Sequence, residues 1–372
     1  MPAPVENMKP ASVMRYLTLV LWLLLWMPER GGAQILTRWL DSTGNGNQNV
    51  GYFFSNRPLK KSEEGVTAFR NRWTRQTGNL YFCTYDYETG SIQLKYQAGK
   101  TGSLDIYPTE PVQDNFFYSI YENLVVDKGV QSLIFVIPGY GKTFKQQLND
   151  FMFRIDRNYT DSMGGNMAIV LFAWGDQSVA PFYHKGRRAA NRAANDFSIF
   201  QHMLEDFQTD TSYMEAHPAV VSYSLLCTSM GNQLLKRYLI KREKQDIGLV
   251  RTYDRIIMIG SDAACDSFEE GKGFDNISEM ADRISILVNR IDGPLYLSQY
   301  MNMKIRLGRS GPTNLYELPD NIKVYDVTGV IDWKDLPAMG HDYLLRNQEI
   351  RNQLIQGETT FQNMKNMQKN PE

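Results

Sequence analysis

The sequence contains few cysteines and few histidines, and this scarcity argues against two common kinds of site. The three cysteines, Cys83, Cys227 and Cys265, lie among apolar or small residues. An odd number would leave at least one unpaired in an exported chain, so we expect three buried, reduced residues rather than a disulfide framework. The four histidines are scattered without the spacing of metal ligands. We therefore expect no metal and no other cofactor.

An excess of charge of either sign is also lacking. Lys and Arg total 40 against 41 for Asp and Glu, which gives a formal net charge of −1. Because a nucleic-acid-binding domain usually carries a basic patch or stripe, this balance predicts no nucleic-acid partner. The 372 residues are 42% hydrophobic and 22% charged, as is typical of a folded globular protein. This length suits one large domain or two small ones.

Long apolar runs are absent except for one near the start. Residues 16–27, YLTLVLWLLLWM, follow Arg15, and the small residues Gly31-Gly32-Ala33 come shortly afterwards. A basic start, a short apolar run and small residues at the end are typical of a signal peptide. A membrane-spanning helix needs about 20 apolar residues, more than this run supplies.

These features predict a cleaved leader over residues 1–33, with the mature chain beginning at Gln34. Residues 1–13 have no evident role in such a leader, so they are candidates for sequence upstream of the true start. We expect a periplasmic or extracellular protein, with peripheral association with the cell envelope. An uncleaved membrane anchor is the alternative.

The pattern of the remaining chain changes near residue 115. Residues 34–115 contain short aromatic or alternating runs, which predict a β-rich segment packed on the main domain. Residues 116–356 alternate apolar runs with helical spacing, and residues 357–372 form a polar tail. This alternation predicts the α/β class, with a mostly parallel central sheet and helices on both faces. We expect strands at 132–137, 167–174, 255–259, 283–288 and 322–327, another ending at Ser229, and a helix at 189–207.

One predicted strand stops abruptly on a serine. The run VVSYSLLCTSMGNQLLKRYL passes through Ser229 and resumes at once with helical spacing. A strand, a tight turn and a helix with serine at the apex are typical of a nucleophile elbow, in which glycines usually flank the serine at two positions. Gly231 fits this pattern, and Cys227 departs from it but is still small. Alternatively, Ser229 is an ordinary N-cap of the helix.

A base and an acid can be assigned by chain order. His341 is the only histidine after the elbow, and it follows the last predicted strand. In the order nucleophile, acid, base, the acid comes from a strand end between them. Asp292 leaves the penultimate strand and is favoured, and Asp262 leaves the strand before it and is the rival. The alternative for either aspartate is a surface residue that caps the next helix.

The first core strand ends in a glycine-flanked turn, Pro138-Gly139-Tyr140-Gly141. Glycines free the backbone to direct N–H groups at a developing oxyanion. We therefore predict the backbone N–H groups of Tyr140 and Met230 as the oxyanion hole. A plain strand-to-helix turn is the alternative, and the spacing of a phosphate-binding loop is absent.

These motifs resemble the α/β-hydrolase superfamily and, within it, a bacterial family of α/β hydrolases of unknown function, DUF900. The resemblance covers roughly residues 50–345. It implies that Ser229, Asp292 and His341 are nucleophile, acid and base. The sequence departs from the family at Pro138 and Thr228, where histidine is usual. The segments that carry it are Phe53–Arg57, Gly139-Tyr140, Phe172-Ala173-Trp174, Ser229–Asn232, Arg290–Ser298, Arg306-Leu307-Gly308 and Gly340-His341.

Two functions follow from this reading. The first is an exported serine hydrolase that cleaves an ester or related acyl bond of a small-molecule or lipid-like substrate through an acyl-enzyme. The second is a protein of the same fold that binds a ligand or partner without catalysis. The aromatic and basic segment 175–188 is expected to form a loop overhanging the site.

Overall fold

The computed structural model describes residues 50–60, 68–70, 79–99, 115–160, 166–175, 183–331 and 339–356, together with Phe361, Asn363 and Met364. The predicted leader and most of the predicted polar tail lie outside these residues. No helix in the described part of the chain combines the length and the apolar character that a bilayer crossing requires.

The strands of the described residues are β1 Val50–Ser55, β2 Leu59–Lys60, β3 Ala68–Phe69, β4 Asn79–Asp86, β5 Ile92–Gly99, β6 Ser132–Ile137, β7 Met167–Phe172, β8 Ser222–Thr228, β9 Tyr253–Ile259, β10 Ala281–Val288 and β11 Ile322–Asp326. Nine of them form one sheet, ordered β11-β10-β9-β8-β6-β7-β1-β4-β5. Neighbours from β11 to β1 are parallel, whereas β4 pairs antiparallel with both β1 and β5. The two short strands β2 and β3 form a separate antiparallel pair.

Helices cover both faces of this sheet. The α-helices of the described residues are α1 Phe116–Ile120, α2 Phe144–Gln147, α3 Tyr183–Thr209, α4 Thr211–Ala216, α5 Gly231–Lys244, α6 Gly293–Asn302, α7 Leu307–Ser310, α8 Tyr343–Arg346 and α9 Gln348–Gln356. Helix α1 continues as a π-helix over Tyr121–Val126, and α2 continues as one over Leu148–Thr160. Short 3₁₀ turns lie at Cys265–Phe268, Ile277–Met280 and Thr328–Val330.

Alternate residues of β6 enter two different cores. Phe135 and Ile137 pack with residues of α1, α3 and α5, whereas Ile134 and Val136 pack with α2 and α8. Because both faces are buried, the central strands are continuously apolar instead of alternating. The arrangement confirms the predicted fold class, a mostly parallel α/β-hydrolase sheet covered by helices on both sides.

The strand order reverses beside β6. The chain leaves β6 for β7 on one side and then returns to β8 on the other side. In open α/β sheets, such a switch point opens a crevice at the carboxyl ends of the strands. The end of β6 therefore faces the end of β8, where Ser229 lies.

Most predicted elements are found close to their predicted positions. The strand at 132–137 coincides with β6, and the helix at 189–207 lies within α3. The prediction of a loop over 175–188 is wrong for residues 183–188, because they form the first turns of α3. Residues 176–182 lie outside the described residues. All three cysteines are buried and free, as expected.

Candidate active site

Ser229 occupies a strained turn between β8 and α5. Its φ is +50°, a value that residues other than glycine seldom adopt. The Ser229 N–H donates to the Ile259 carbonyl at 2.8 Å, which ties the turn to the end of β9. Positive φ at a serine between a strand and a helix is the geometry of a nucleophile elbow.

The N-cap interpretation of Ser229 does not hold. The cap position of α5 is Met230, and no side-chain cap hydrogen bond is made there. Asn232 stabilises the turn instead, since its Nδ2 donates to the carbonyls of Cys227 at 3.1 Å and Ser229 at 3.2 Å. Within the described residues, the Ser229 hydroxyl makes no hydrogen bond.

Two glycines allow the elbow to pack against the end of β6. A Cβ on Gly231 would lie 2.3 Å from the Ile137 carbonyl oxygen, so only glycine lets α5 begin this close to β6. A Cβ on Gly139 would lie 2.8 Å from Cβ of Ser229. The predicted oxyanion turn therefore lies directly against the serine, with Tyr140 lining the same cavity.

Residues that the sequence analysis gave no role hold this turn in place. The Trp174 indole N–H donates to the Pro138 carbonyl at 2.8 Å. The Gly175 N–H donates to Oδ1 of Asn56 at 2.8 Å. The fully buried Arg57 reaches the Lys142 carbonyl at 3.4 Å. Asn56, Arg57 and Trp174 all fall in segments that carried the family resemblance, which is the sequence signal that could have identified them.

The structure brings His341 together with Asp292. Nδ1 of His341 lies 2.6 Å from Oδ2 of Asp292, whose side chain is fully buried. Since an ionised carboxylate can only accept, Nδ1 donates, and in the neutral imidazole Nε2 is then the accepting nitrogen. Oδ1 of Asp292 accepts from the Leu295 N–H at 2.9 Å, so Asp292 also caps α6.

The histidine loop is fastened to the turn that carries Asp292. The buried Asn289 donates from Nδ2 to the Gly340 carbonyl at 2.6 Å. The Gly293 N–H donates to the Met339 carbonyl at 2.9 Å. These bonds join the residues just before His341 to the turn that follows β10, and they fix the position of His341.

Ser229 and His341 line one cavity of about 30 Å³, together with Gly139, Tyr140 and Lys142. Ile259 and Leu344 supply part of its apolar wall. No hydrogen bond joins Ser229 to His341 among the described residues.

Buried charge shifts the ionisation of this site. Burial alone would lower the pKa of His341, but the charge and hydrogen bond of Asp292 outweigh it and raise the pKa to about 9. Burial raises the pKa of Asp292, and the positive charge of His341 opposes this rise. Burial also acts to raise the pKa of Asp342, but Lys142, whose Nζ is 3.7 Å away, holds it below its usual value.

The rival acid, Asp262, has other partners. Its carboxylate accepts from the Tyr183 hydroxyl at 2.5 Å and from the Ser298 hydroxyl. Its backbone N–H donates to the Ser229 carbonyl at 3.1 Å. Asp262 therefore contacts the elbow, whereas the imidazole of His341 is bonded to Asp292. No group of His, Cys, Asp and Glu suited to a metal ion occurs among the described residues.

No family model and no curated protein matches this sequence, so the resemblance to DUF900 stays a prediction. Among solved structures, esterase B of Lactobacillus rhamnosis, inhibited by a tributyrin phosphonate, is 10% identical, with 93% of this chain and 99% of that chain covered and a TM-score of 0.29. A fungal esterase of Rhizomucor miehei is 10% identical, with 94% and 98% covered and a TM-score of 0.31. An esterase/lipase from an uncultured bacterium is 11% identical, with 87% and 84% covered and a TM-score of 0.24. TM-scores of this size do not indicate the activity of this chain.

Proposed function

We propose that this chain is an exported serine hydrolase that cleaves an ester or related acyl bond through an acyl-enzyme intermediate. The observation that carries the proposal is the 2.6 Å contact of Asp292 with His341, which lines one cavity together with Ser229. The three residues occur in the chain order typical of α/β hydrolases. The predicted leader over residues 1–33 supports export.

Acylation would begin when Nε2 of His341 takes the proton of the Ser229 hydroxyl as Oγ attacks the substrate carbonyl carbon. The carbonyl π electrons move onto oxygen, and the backbone N–H groups of Tyr140 and Met230 stabilise the resulting oxyanion. The positive end of α5, which starts beside Ser229, favours the same charge. Asp292 holds the imidazole in the required orientation and stabilises the imidazolium.

Acylation would end when the first tetrahedral intermediate collapses, which breaks the bond to the leaving group while His341 gives that group its proton. Deacylation would then use the same groups with water as the nucleophile. Water then loses a proton to Nε2 and attacks the acyl carbon. The second collapse returns that proton to Oγ of Ser229 and releases the carboxylic acid.

The lining of the cavity supports a small-molecule or lipid-like acyl substrate. Phe151, Ile259, Leu344 and Leu345 provide apolar surface next to Ser229, and Lys142 provides the nearby cation. A substrate that carries a polar group beside its acyl chain would suit this lining. The proposed chemistry requires no cofactor.

A non-catalytic binding protein of the same fold is the second candidate. It is favoured by the small cavity, about 30 Å³, and by the absence of a Ser229–His341 hydrogen bond among the described residues. A fluorophosphonate probe separates the two functions, because only an activated serine reacts with it rapidly. The matched control is Ser222→Ala, which alters a serine at the opposite end of the same strand, β8.

The hydrolase proposal predicts labelling of the wild type and of Ser222→Ala, no labelling of Ser229→Ala, and parallel behaviour in hydrolysis of p-nitrophenyl esters. A wild-type chain that is folded, unlabelled and inactive on such esters would favour the binding protein.

A further inference from the structure

We propose that Tyr183 and Asp262 are positioning residues that hold the oxyanion turn against Ser229. The inference rests on the proposed function and extends it to two residues that lie outside the Ser–Asp–His set. They would act through Tyr140, without touching the substrate.

The first link joins Asp262 to the elbow. The Asp262 N–H donates to the Ser229 carbonyl at 3.1 Å. Arg306, which is fully buried, donates from Nη1 to the Asp262 carbonyl at 2.9 Å. The backbone of Asp262 is thereby fixed relative to Ser229.

The second link joins Asp262 to the start of α3. The Tyr183 hydroxyl donates to Oδ2 of Asp262 at 2.5 Å, and the Ser298 hydroxyl lies within hydrogen-bond distance of both Asp262 and Tyr183. All three side chains are buried. Burial and then the charge of Asp262 raise the pKa of Tyr183 far above its usual value, so the phenol remains a donor at every working pH. Hydrogen bonds to a buried carboxylate are among the strong ones.

The third link joins α3 to Tyr140. The rings of Tyr140 and Tyr183 meet edge to face, with centroids 6.3 Å apart at 78°. A Cβ on Gly186 would lie 2.1 Å from Cε2 of Tyr140, so the tyrosine ring rests on the bare backbone of the helix. One turn of α3 therefore holds Tyr140 from two sides.

The last link joins the oxyanion turn to the serine. Gly139 packs so closely against Ser229 that a Cβ added to the glycine would lie 2.8 Å from Cβ of the serine. Tyr140 follows Gly139 directly, so the position of its N–H relative to the serine depends on each link. A displacement of about 1 Å from productive geometry can reduce a rate about 100-fold.

Tyr183→Phe removes only the hydroxyl and tests the second link. We expect kcat to fall about 10- to 100-fold, with KM changing less than about 2-fold, because the loss concerns oxyanion stabilisation in the transition state. The pH midpoint of kcat/KM should not move, since His341 and Asp292 are unaltered. Asp262→Ala should lower kcat to a similar extent, and its pH midpoint should move to lower pH because the charge of Asp262 contributes to the raised pKa of His341. Asp262→Asn also removes this charge, but it keeps an acceptor for Tyr183 and should retain most of the rate.

Gly186→Ala tests the third link by placing a methyl group in the Tyr140 ring, and it should also lower kcat. Two variants control for general damage. Tyr121→Phe removes a phenol that donates to the His217 carbonyl beside a different cavity. Gly51→Ala introduces a comparable clash, 2.2 Å from Cε of Met152. Urea unfolding should show that all variants are folded at the assay temperature.

The inference is overturned if folded Tyr183→Phe keeps the wild-type kcat, if its loss equals that of Tyr121→Phe, or if its pH midpoint shifts. In each of these cases the wild-type protein is still labelled at Ser229, so the proposed function is not affected. A wild type that is not labelled at Ser229 overturns the proposed function and the inference together.

Discussion

His341 donates from Nδ1 to Oδ2 of Asp292 across 2.6 Å, although the two residues are 49 positions apart in the chain. The carboxylate is fully buried, and its other oxygen is occupied by the Leu295 N–H. Water therefore cannot easily replace either hydrogen-bond partner of the carboxylate. The imidazole ring is held through Nδ1, and Nε2 takes no part in this bond. The tautomer and orientation required of a general base follow from this contact.

The first prediction concerns the identity of the acid. Asp292→Asn should lower kcat by up to about 10⁴-fold, because the amide no longer fixes the tautomer of His341. Asp262→Asn should have a much smaller effect, since Asp262 is bonded to Tyr183 and Ser298. Steady-state kinetics on a p-nitrophenyl ester compare the two variants. The reverse order of effects would show that the acid has been misassigned.

The second prediction concerns pH. A general base must be neutral to accept a proton, and the pKa of His341 is raised to about 9 by Asp292. The value of kcat/KM should therefore rise with pH, reach half its maximum near pH 9 and level off only above that pH, since this profile reports the free enzyme. Asp292→Asn removes the charge that raises the pKa, so its residual activity should level off at lower pH. A wild-type midpoint near the usual histidine value of about 6.5 would contradict this account.

The third prediction concerns the unusual residue of the elbow. Cys227→Gly restores the glycine of the usual motif and should keep kcat near the wild-type value, because the turn tolerates any small residue there. The cysteine is fully buried in β8, so its removal leaves a void and a flexible strand residue. We expect a loss of about 1–2 kcal/mol in the free energy of unfolding. Urea denaturation measures it, and a loss of activity without a loss of stability would contradict the prediction.

The fourth prediction concerns export. If residues 1–33 are a cleaved leader, the mature protein recovered from the producing cell should begin at or near Gln34. N-terminal sequencing or intact mass determines this directly. A full-length chain recovered from the membrane fraction would favour the uncleaved anchor instead.

The positions of Ser229 and His341 could be predicted from the sequence because each follows an apolar run that marks a buried strand. Chain order then limited the acid to Asp262 or Asp292, and local pattern could not decide between them. The contacts that distinguish them, Tyr183 with Asp262 and His341 with Asp292, join residues 79 and 49 positions apart. Such pairings depend on how strands are ordered in the sheet, which periodicity does not encode.

The same limit explains the wrong loop prediction. Residues 183–188 lack the apolar stripe that indicates a helix, so the sequence predicts a loop there. In the structure these residues are helical. Tyr183 is held by Asp262, and Gly186 provides the surface on which the Tyr140 ring rests. Tertiary contacts of this kind add to a weak local helical preference.

Mapping the fluorophosphonate adduct by mass spectrometry in the wild type, Ser229→Ala and Ser229→Gly tests the central claim most directly. The account predicts one adduct, on Ser229, and loss of labelling and of nearly all hydrolysis in both variants, by up to about 10⁶-fold in kcat. Because φ at Ser229 is +50°, Ser229→Gly should also relieve strain and raise the melting temperature relative to Ser229→Ala. An adduct on another residue, or a folded Ser229→Ala variant that is still labelled and active, would contradict it.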